Sequence, residues 1–316
     1  MELFLFTLKP KKRNMKKLAV IALSLLLFSC GGDDDNEQTI NNPTTAGLAF
    51  AVSENSFSET YSNLRSTLQA NPNITVVAEV NHSESADAIG EDLRETRVIF
   101  FGNPALGTPL MQTNQLAGLD LPQKIMVYRD RDNNVFAAYN STSYLAARYN
   151  VGSASTLQQI NTALSTITAG ATSGTVAENS NGSLTFRQGT ITVVSQNDFT
   201  STYNNLRNSI SDNQNLSIEA ELDHQANAQS VGLDLRPTRI IIFGNPNLGT
   251  PLMQSAQTTG IDLPQKMLVW QAADGTVNIT YNDPEYLMSR HGITGNAEVI
   301  ANISSALAGL AIDAAN

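Results

Sequence analysis

Apolar positions along the chain alternate between two spacings, and they do so in the same order twice. Leu48-Ala49-Phe50-Ala51-Val52 is a short apolar run that predicts a strand. Phe57, Tyr61, Leu64 and Leu68 then fall on one helical face, behind a Ser56/Glu59 pair with capping-box spacing. Ile74, Val76, Ala78 and Val80 alternate as in a half-buried strand. The continuous run Arg97-Val98-Ile99-Phe100-Phe101 predicts a strand covered on both faces. Lys124 to Tyr128 and Val135 to Tyr139 read as a hairpin, and Leu157, Ile160, Leu164 and Ile167 as a closing helix. Each element recurs: Thr190 to Val194; Phe199, Tyr203, Leu206 and Ile210; Leu216, Ile218, Ala220 and Leu222; Arg239 to Phe243; and a hairpin turn with Asp274-Gly275. Asp283-Pro284 supplies a helix N-cap with proline at the first helical position. The order is β-α-β-β-β-β-α, with a short helical piece on either side of the third strand. It predicts the α+β class, an antiparallel sheet with helices on one face.

The recurrence is literal. Phe101-Gly102-Asn103-Pro104-Ala105-Leu106-Gly107-Thr108-Pro109-Leu110-Met111-Gln112 returns as Phe243-Gly244-Asn245-Pro246-Asn247-Leu248-Gly249-Thr250-Pro251-Leu252-Met253-Gln254, an offset of 243 − 101 = 142. The same offset relates His82 to His224 and Asp120-Leu121-Pro122-Gln123-Lys124 to Asp262-Leu263-Pro264-Gln265-Lys266. Two repeat domains follow, residues 48–169 and 183–316, each large enough for its own core. The stretch 170–182 has linker composition.

Residues 1–29 read as an export signal with an upstream extension, Met15 being an alternative start. Lys16 and Lys17 precede the apolar run Leu18 to Phe28, which is too short to span a bilayer. Leu27-Phe28-Ser29-Cys30 resembles a bacterial lipobox, which would place a lipid on Cys30 and the protein in the cell envelope, at the outer membrane. Residues 30–47, with Asp33-Asp34-Asp35, read as an acidic tether. Residues 1–29 carry six of the 19 Lys and Arg and one of the 29 Asp and Glu, so the rest has a formal charge of 13 − 28 = −15. That balance argues against a nucleic-acid partner, which needs positive surface. The single Cys excludes an intrachain disulfide and any Cys-based metal site.

Several features together resemble one bacterial and archaeal family. They are His82 with Ala86 and Gly90, Leu93-Arg94, Thr96-Arg97, the Phe-Gly-Asn-Pro-x-Leu-Gly-Thr-Pro-Leu-Met-Gln run, Asp-Leu-Pro-x-Lys, Tyr139-Asn140 and Tyr144-Leu145. The family is domain of unknown function 302, and both repeats match it. Between Ala78–Tyr128 and Ala220–Trp270 about 30 of 51 pairs are identical. The resemblance implies a β-α-β4-α fold of TATA-box-binding-protein-like topology. Single-copy members are expected to dimerise, so the tandem chain would form an internal pseudo-dimer. The family implies no activity.

His82 and His224 lead the candidate site residues. Each is in phase with the core-facing side of its strand and stands at the start of a short helix, where a neutral imidazole is favoured. One such His per copy, plus His291, gives no multi-histidine metal set, and no cofactor is expected. Glu79 and Glu221 fall on the opposite strand face. Asn103 and Asn245 open the turn after the buried strand. Thr108 and Thr250 are expected to cap a helix with Pro109 or Pro251 at its first position, and the N–H groups near Gly107 and Thr108 could receive a carboxylate or phosphate. No Walker Lys-Ser/Thr follows the glycine, and no nucleophile elbow occurs in the chain. Met111 and Met253 could line an apolar cavity. The site is expected between the His-bearing strand end and the Gly-Asn-Pro turn. The leading functional expectation is a non-enzymatic module that binds a small molecule or an envelope protein. Two others stand beside it: an enzyme using His82 and His224 as acid/base groups, and a structural role in which the Gly-Asn-Pro segments join the repeats.

Overall fold

The computed structural model describes residues 40–316. The signal, Cys30 and most of the acidic tether lie outside the described residues.

The first copy runs β1 (Leu48–Val52), α1 (Phe57–Ala70), β2 (Thr75–Asn81), α2 (His82–Asp87), β3 (Thr96–Gly102) and α3 (Pro104–Thr113). A 3-10 segment (Gln115–Asp120) leads to β4 (Gln123–Arg129), β5 (Val135–Asn140), α4 (Thr142–Tyr149) and α5 (Leu157–Thr172). β6 (Ala177–Glu178) joins the copies. The second copy repeats the order: β7 (Thr190–Val194), α6 (Phe199–Ser211), β8 (Ser217–Asp223), α7 (His224–Ser230), β9 (Thr238–Gly244), α8 (Pro246–Ser255), a 3-10 segment (Gln257–Ile261), β10 (Gln265–Gln271), β11 (Val277–Asn282), α9 (Pro284–His291) and α10 (Ala297–Ala315).

All strand pairs are antiparallel, in the orders β2-β3-β4-β5-β1-β6 and β7-β11-β10-β9-β8. The fold is α+β with two β-α-β4-α halves. The Ser56–Glu59 capping box is formed in full. Val98 to Phe101 are buried to 4% exposure or less, as a strand covered on both faces requires. The hairpin turns place Asn133 and Gly275 at φ 66° and 89°, so the asparagine performs the left-handed turn for which glycine serves in the other copy.

Residues 170–182 are less of a spacer than their composition suggests. The last helix continues to Thr172, and Ala177–Glu178 pairs with Phe50 and Ala49 as an edge strand. The end of the expected tether is also packed. Thr45 is buried, and the Ala46 carbonyl accepts both Nε (3.1 Å) and Nη2 (3.0 Å) of Arg290.

In each copy the two long helices cover one sheet face through Tyr61, Leu64 and Leu68, or Tyr203, Leu206 and Ile210. α10 is apolar and long enough to cross a membrane by composition, but its Ile300, Ile303, Leu307 and Ala311 are buried in the second copy's core. The other sheet face meets the opposite copy. The Gln115–Asp120 segment packs on β9 and β10, and Gln257–Ile261 on β3 and β4. One continuous core therefore includes Ile240, Ile242, Ile261 and Leu268 of the second copy with the interior of the first. This exchange explains the repeated glycine in these segments. A Cβ on Gly260 would stand 2.9 Å from Met126 Sδ, and one on Gly118 3.1 Å from Leu268 Cδ1.

Candidate functional site

The Gly-Asn-Pro segments are helices that dock on the other copy. Asn103 Oδ1 accepts from the Ala105 N–H and Asn245 Oδ1 from the Asn247 N–H, both at 3.0 Å, so the asparagines are the N-caps. Thr108 and Thr250 were expected to cap and do not. They lie within α3 and α8, where Pro109 and Pro251 are also internal. The expected anion-binding amides are likewise committed, since Gly107 N–H bonds the Asn103 carbonyl at 2.9 Å and Gly249 N–H that of Asn245 at 3.0 Å. Asn103-Pro104 and Thr108-Pro109 are cap-and-proline pairs five residues apart, and the earlier one wins because proline suits the first helical position equally well there. α3 packs on α7 and α8 on α2. Gln112 Nε2 donates to the Asp234 carbonyl at 2.8 Å and Gln254 Nε2 to that of Asp92 at 2.9 Å. Farther along, Gln115 Nε2 reaches Thr238 Oγ1 and Gln257 Nε2 reaches Thr96 Oγ1, each at 2.8 Å.

The histidines stand at this seam. His82 and His224 open α2 and α7 and are 5% and 4% exposed. The carbonyls of Gly260 and Leu263 lie beside the His82 ring, and those of Gly118 and Leu121 beside His224. Burial pushes both rings down to about 4, outweighing these carbonyls and, at His224, the Asp223 carboxylate. Both are neutral at pH 7. The expected grouping of His82 with Asn103 and Met111 is corrected: each histidine meets the Gly-Asn-Pro helix of the other copy. Strand phase fixed which way the ring faces, while the copy that supplies its neighbours is a tertiary matter.

A cavity of about 480 Å³ opens beside His82. α8 contributes Leu248, Thr250 and Met253, and α10 contributes Ile303, Leu307, Gly309 and Leu310. Asn245, Leu263, Gln265 and, from the first copy, Val80 and His82 also line it. Three buried polar atoms of this lining lack a hydrogen-bond partner: His82 Nε2, Thr250 Oγ1 and Gln265 Oε1. Such atoms are uncommon in folded proteins, but the equivalent His224 Nε2 and Thr108 Oγ1 at the other end of the seam are unpartnered too, so what sets this site apart is the cavity. In the first copy Asn103, Thr108 and Met111 sit at the matching positions. There Thr156 Oγ1 ties α5 to the Leu106 carbonyl at 2.7 Å. The bonds Glu54 N–H to Thr172 and Gln196 N–H to Ala315 set an offset of 315 − 172 = 143 for the last helix. By that offset the second copy has Val299 in place of Thr156 and lacks the tie.

Between the sheets lies a second cluster, absent from the sequence-based expectations. Asp120 accepts from Lys266 Nζ (2.8 Å), Lys124 Nζ (3.3 Å), Arg148 Nη1 (2.9 Å) and the Tyr149 hydroxyl (2.7 Å). Asp262 accepts from Arg290 Nη1 at 2.6 Å and lies 2.9 Å from His291 Nε2. Arg148 and Arg290 also reach Asn282 Oδ1 (2.9 Å) and Asn140 Oδ1 (2.8 Å) across the seam. Arg290 lies 4.0 Å from the centre of the Tyr144 ring. Burial alone would raise both carboxyls, but the cations around them hold them well below the usual carboxylate range. Lys124 is pushed down to about 8 by burial and by Lys266 beside it. The visible signal was the Asp-Leu-Pro-Gln-Lys repeat; the arginines gave none beyond one charge on the apolar face of a short helix. Glu79 and Glu221 face the helices, where they bond Tyr61 and Arg65, and Tyr203 and Arg207. No group of three metal-binding side chains occurs among the described residues.

The model of the family described as "Domain of unknown function DUF302" matches residues 49–167 and 191–310. The chain belongs to this family and carries two copies of its domain. Among curated proteins it is similar to Fluoride-specific ion channel FluC 1 of Brucella suis, 44% identical over 84 residues, or 27% of this chain and 33% of that one. FluC 1 of Brucella abortus and FluC 2 of Brucella melitensis match at the same identity, with 31% of their lengths covered. The chain thus spans about a third of the curated relatives it matches. Among solved structures it is similar to an uncharacterized conserved DUF302 protein from Bacillus stearothermophilus, with 23% identity, a TM-score of 0.37, and coverage of 41% of this chain and 99% of that one.

Proposed function

We propose that the protein is a non-enzymatic binding module whose site is the cavity between α8, α10 and His82. The carrying observation is the apolar cavity itself, whose lining presents His82, Thr250 and Gln265 as buried polar groups. An apolar chamber with a few convergent polar groups is the usual form of a small-molecule site. His82 acts here as a neutral hydrogen-bonding group. Its low pKa leaves it a weak proton acceptor, and among the cavity-lining residues no carboxylate is hydrogen-bonded to it to support acid/base work. The Gly-Asn-Pro helices join the copies, which favours a scaffolding role for α3 and a combined scaffolding and binding role for α8. An exported, lipid-anchored location through Cys30 completes the reading; the test is membrane partitioning, which Cys30→Ser abolishes.

Gly309 gives a direct test of the cavity. A Cβ there meets nothing within 4 Å, and the residue is helical. Gly309→Phe is expected to fill the chamber while the unfolding midpoint stays at or above that of the parent, because phenylalanine is a better helix former than glycine. The neutral fluorophore N-phenyl-1-naphthylamine is expected to bind the parent saturably at one site and to be excluded by Gly309→Phe. Equal binding by both proteins, or no saturable binding by the parent, overturns the reading.

A further inference from the structure

We infer that this cavity selects amphipathic ligands that carry a positive charge and rejects anions of the same length; the inference rests on the cavity being the ligand site. Among the described residues no lysine or arginine lines it, and the buried polar residues of its lining, His82, Thr250 and Gln265, are uncharged. Among the described residues the charged members of its lining are Glu219 and Asp313. Both are exposed, so they stand at the rim while Phe243, Leu263, Ile303 and Leu307 hold the apolar interior. Asp313 lies in the last turn of α10, whose C-terminal end adds partial negative charge to the same side. An apolar body inside the chamber therefore brings its charged end to two carboxylates and a helix C-terminus. A carboxylate or sulfate there meets like charge with no cation to offset it. The rim belongs to the second copy alone. The 142-residue offset puts Val77 opposite Glu219, and the 143-residue offset of the last helix puts Gly170 opposite Asp313.

The test is displacement of N-phenyl-1-naphthylamine from the full chain by three twelve-carbon probes below their micelle concentrations: dodecyltrimethylammonium, 1-dodecanol and dodecanoate. Dodecyltrimethylammonium is expected to displace at a concentration about tenfold lower than dodecanoate, which corresponds to about 1.4 kcal/mol of differential charge interaction. The double variant Glu219→Gln/Asp313→Asn, altered only at exposed positions, is expected to bring that ratio to about one without changing 1-dodecanol. Equal displacement by all three probes, or preference for dodecanoate, overturns the charge selection and leaves the cavity assignment standing. A selectivity that survives in the double variant overturns the role of the rim. Failure of every probe, with fluorophore binding insensitive to Gly309→Phe, overturns the cavity assignment itself.

Discussion

Asp120→Asn is expected to cost about 3–5 kcal/mol of stability, since it leaves buried cations without their counter-charge. The carboxylate is fully buried and serves Lys124, Lys266 and Arg148 at once. Asn keeps the volume and removes the charge, so the loss reads the electrostatics and not a void. Against a usual total of about 5–15 kcal/mol, the variant stands near the limit of folding. Glu79→Gln is the contrast. Its ion pair with Arg65 is partly solvated and is expected to contribute about 0–1 kcal/mol. Urea unfolding followed at Trp270, the only tryptophan, measures both. Similar midpoints for the two variants would show that the buried cluster is no more than a set of independent surface-like pairs.

The second large effect is a loss of stability in mild acid. His82 and His224 titrate near 4 in the folded chain and near 6.5 when unfolded, so between these values the unfolded chain binds the extra protons. The contribution is complete above about 6.5 and is lost as pH falls toward 4. Each ring accounts for about 3 kcal/mol over that window. Asp120 and Asp262 stay ionised until below the ordinary carboxylate range, so the window belongs to the imidazoles. His291 is lowered too and adds in the same direction. Unfolding midpoints measured from pH 7.5 to 4.5 are expected to fall steeply in the parent and shallowly in His82→Gln/His224→Gln. Parallel slopes would sink this account.

Periodicity disclosed each half of the molecule because the sheets and helices are written in spacings of two and of three to four. The capping box at Ser56 and the Asp283-Pro284 start were readable for the same reason: their partners lie within three residues. What joins the halves was not readable. Gln115 meets Thr238 and Lys266 meets Asp120 over separations of more than a hundred residues, and a matched repeat looks identical whether its copies touch or not. The candidate residues split accordingly. His82, Thr250 and Met253 share a cavity with Asn245, whereas Asn103, Thr108 and Met111 belong to the seam helix of the first copy. The two nearly identical segments differ in their last helices: the second copy has Gly309 on the cavity lining and Val299 where Thr156 ties the first copy's helix to Leu106, differences that act through packing and not through pattern.

The exchanged 3-10 segments bear on how the chain folds. Each half lends the other a piece of interior, so neither half presents a closed core when alone. The chain from Asn41 onward is one compact unit, although the family model matches it as two separate stretches, so it is expected to unfold cooperatively. Damage in the first half is therefore felt in the second. Leu64→Ala, in α1, is expected to lower the Trp270 transition by the same free energy as the transition seen by far-ultraviolet circular dichroism, with one sigmoid for both. On that expectation the repeated sequence behaves as a single thermodynamic object.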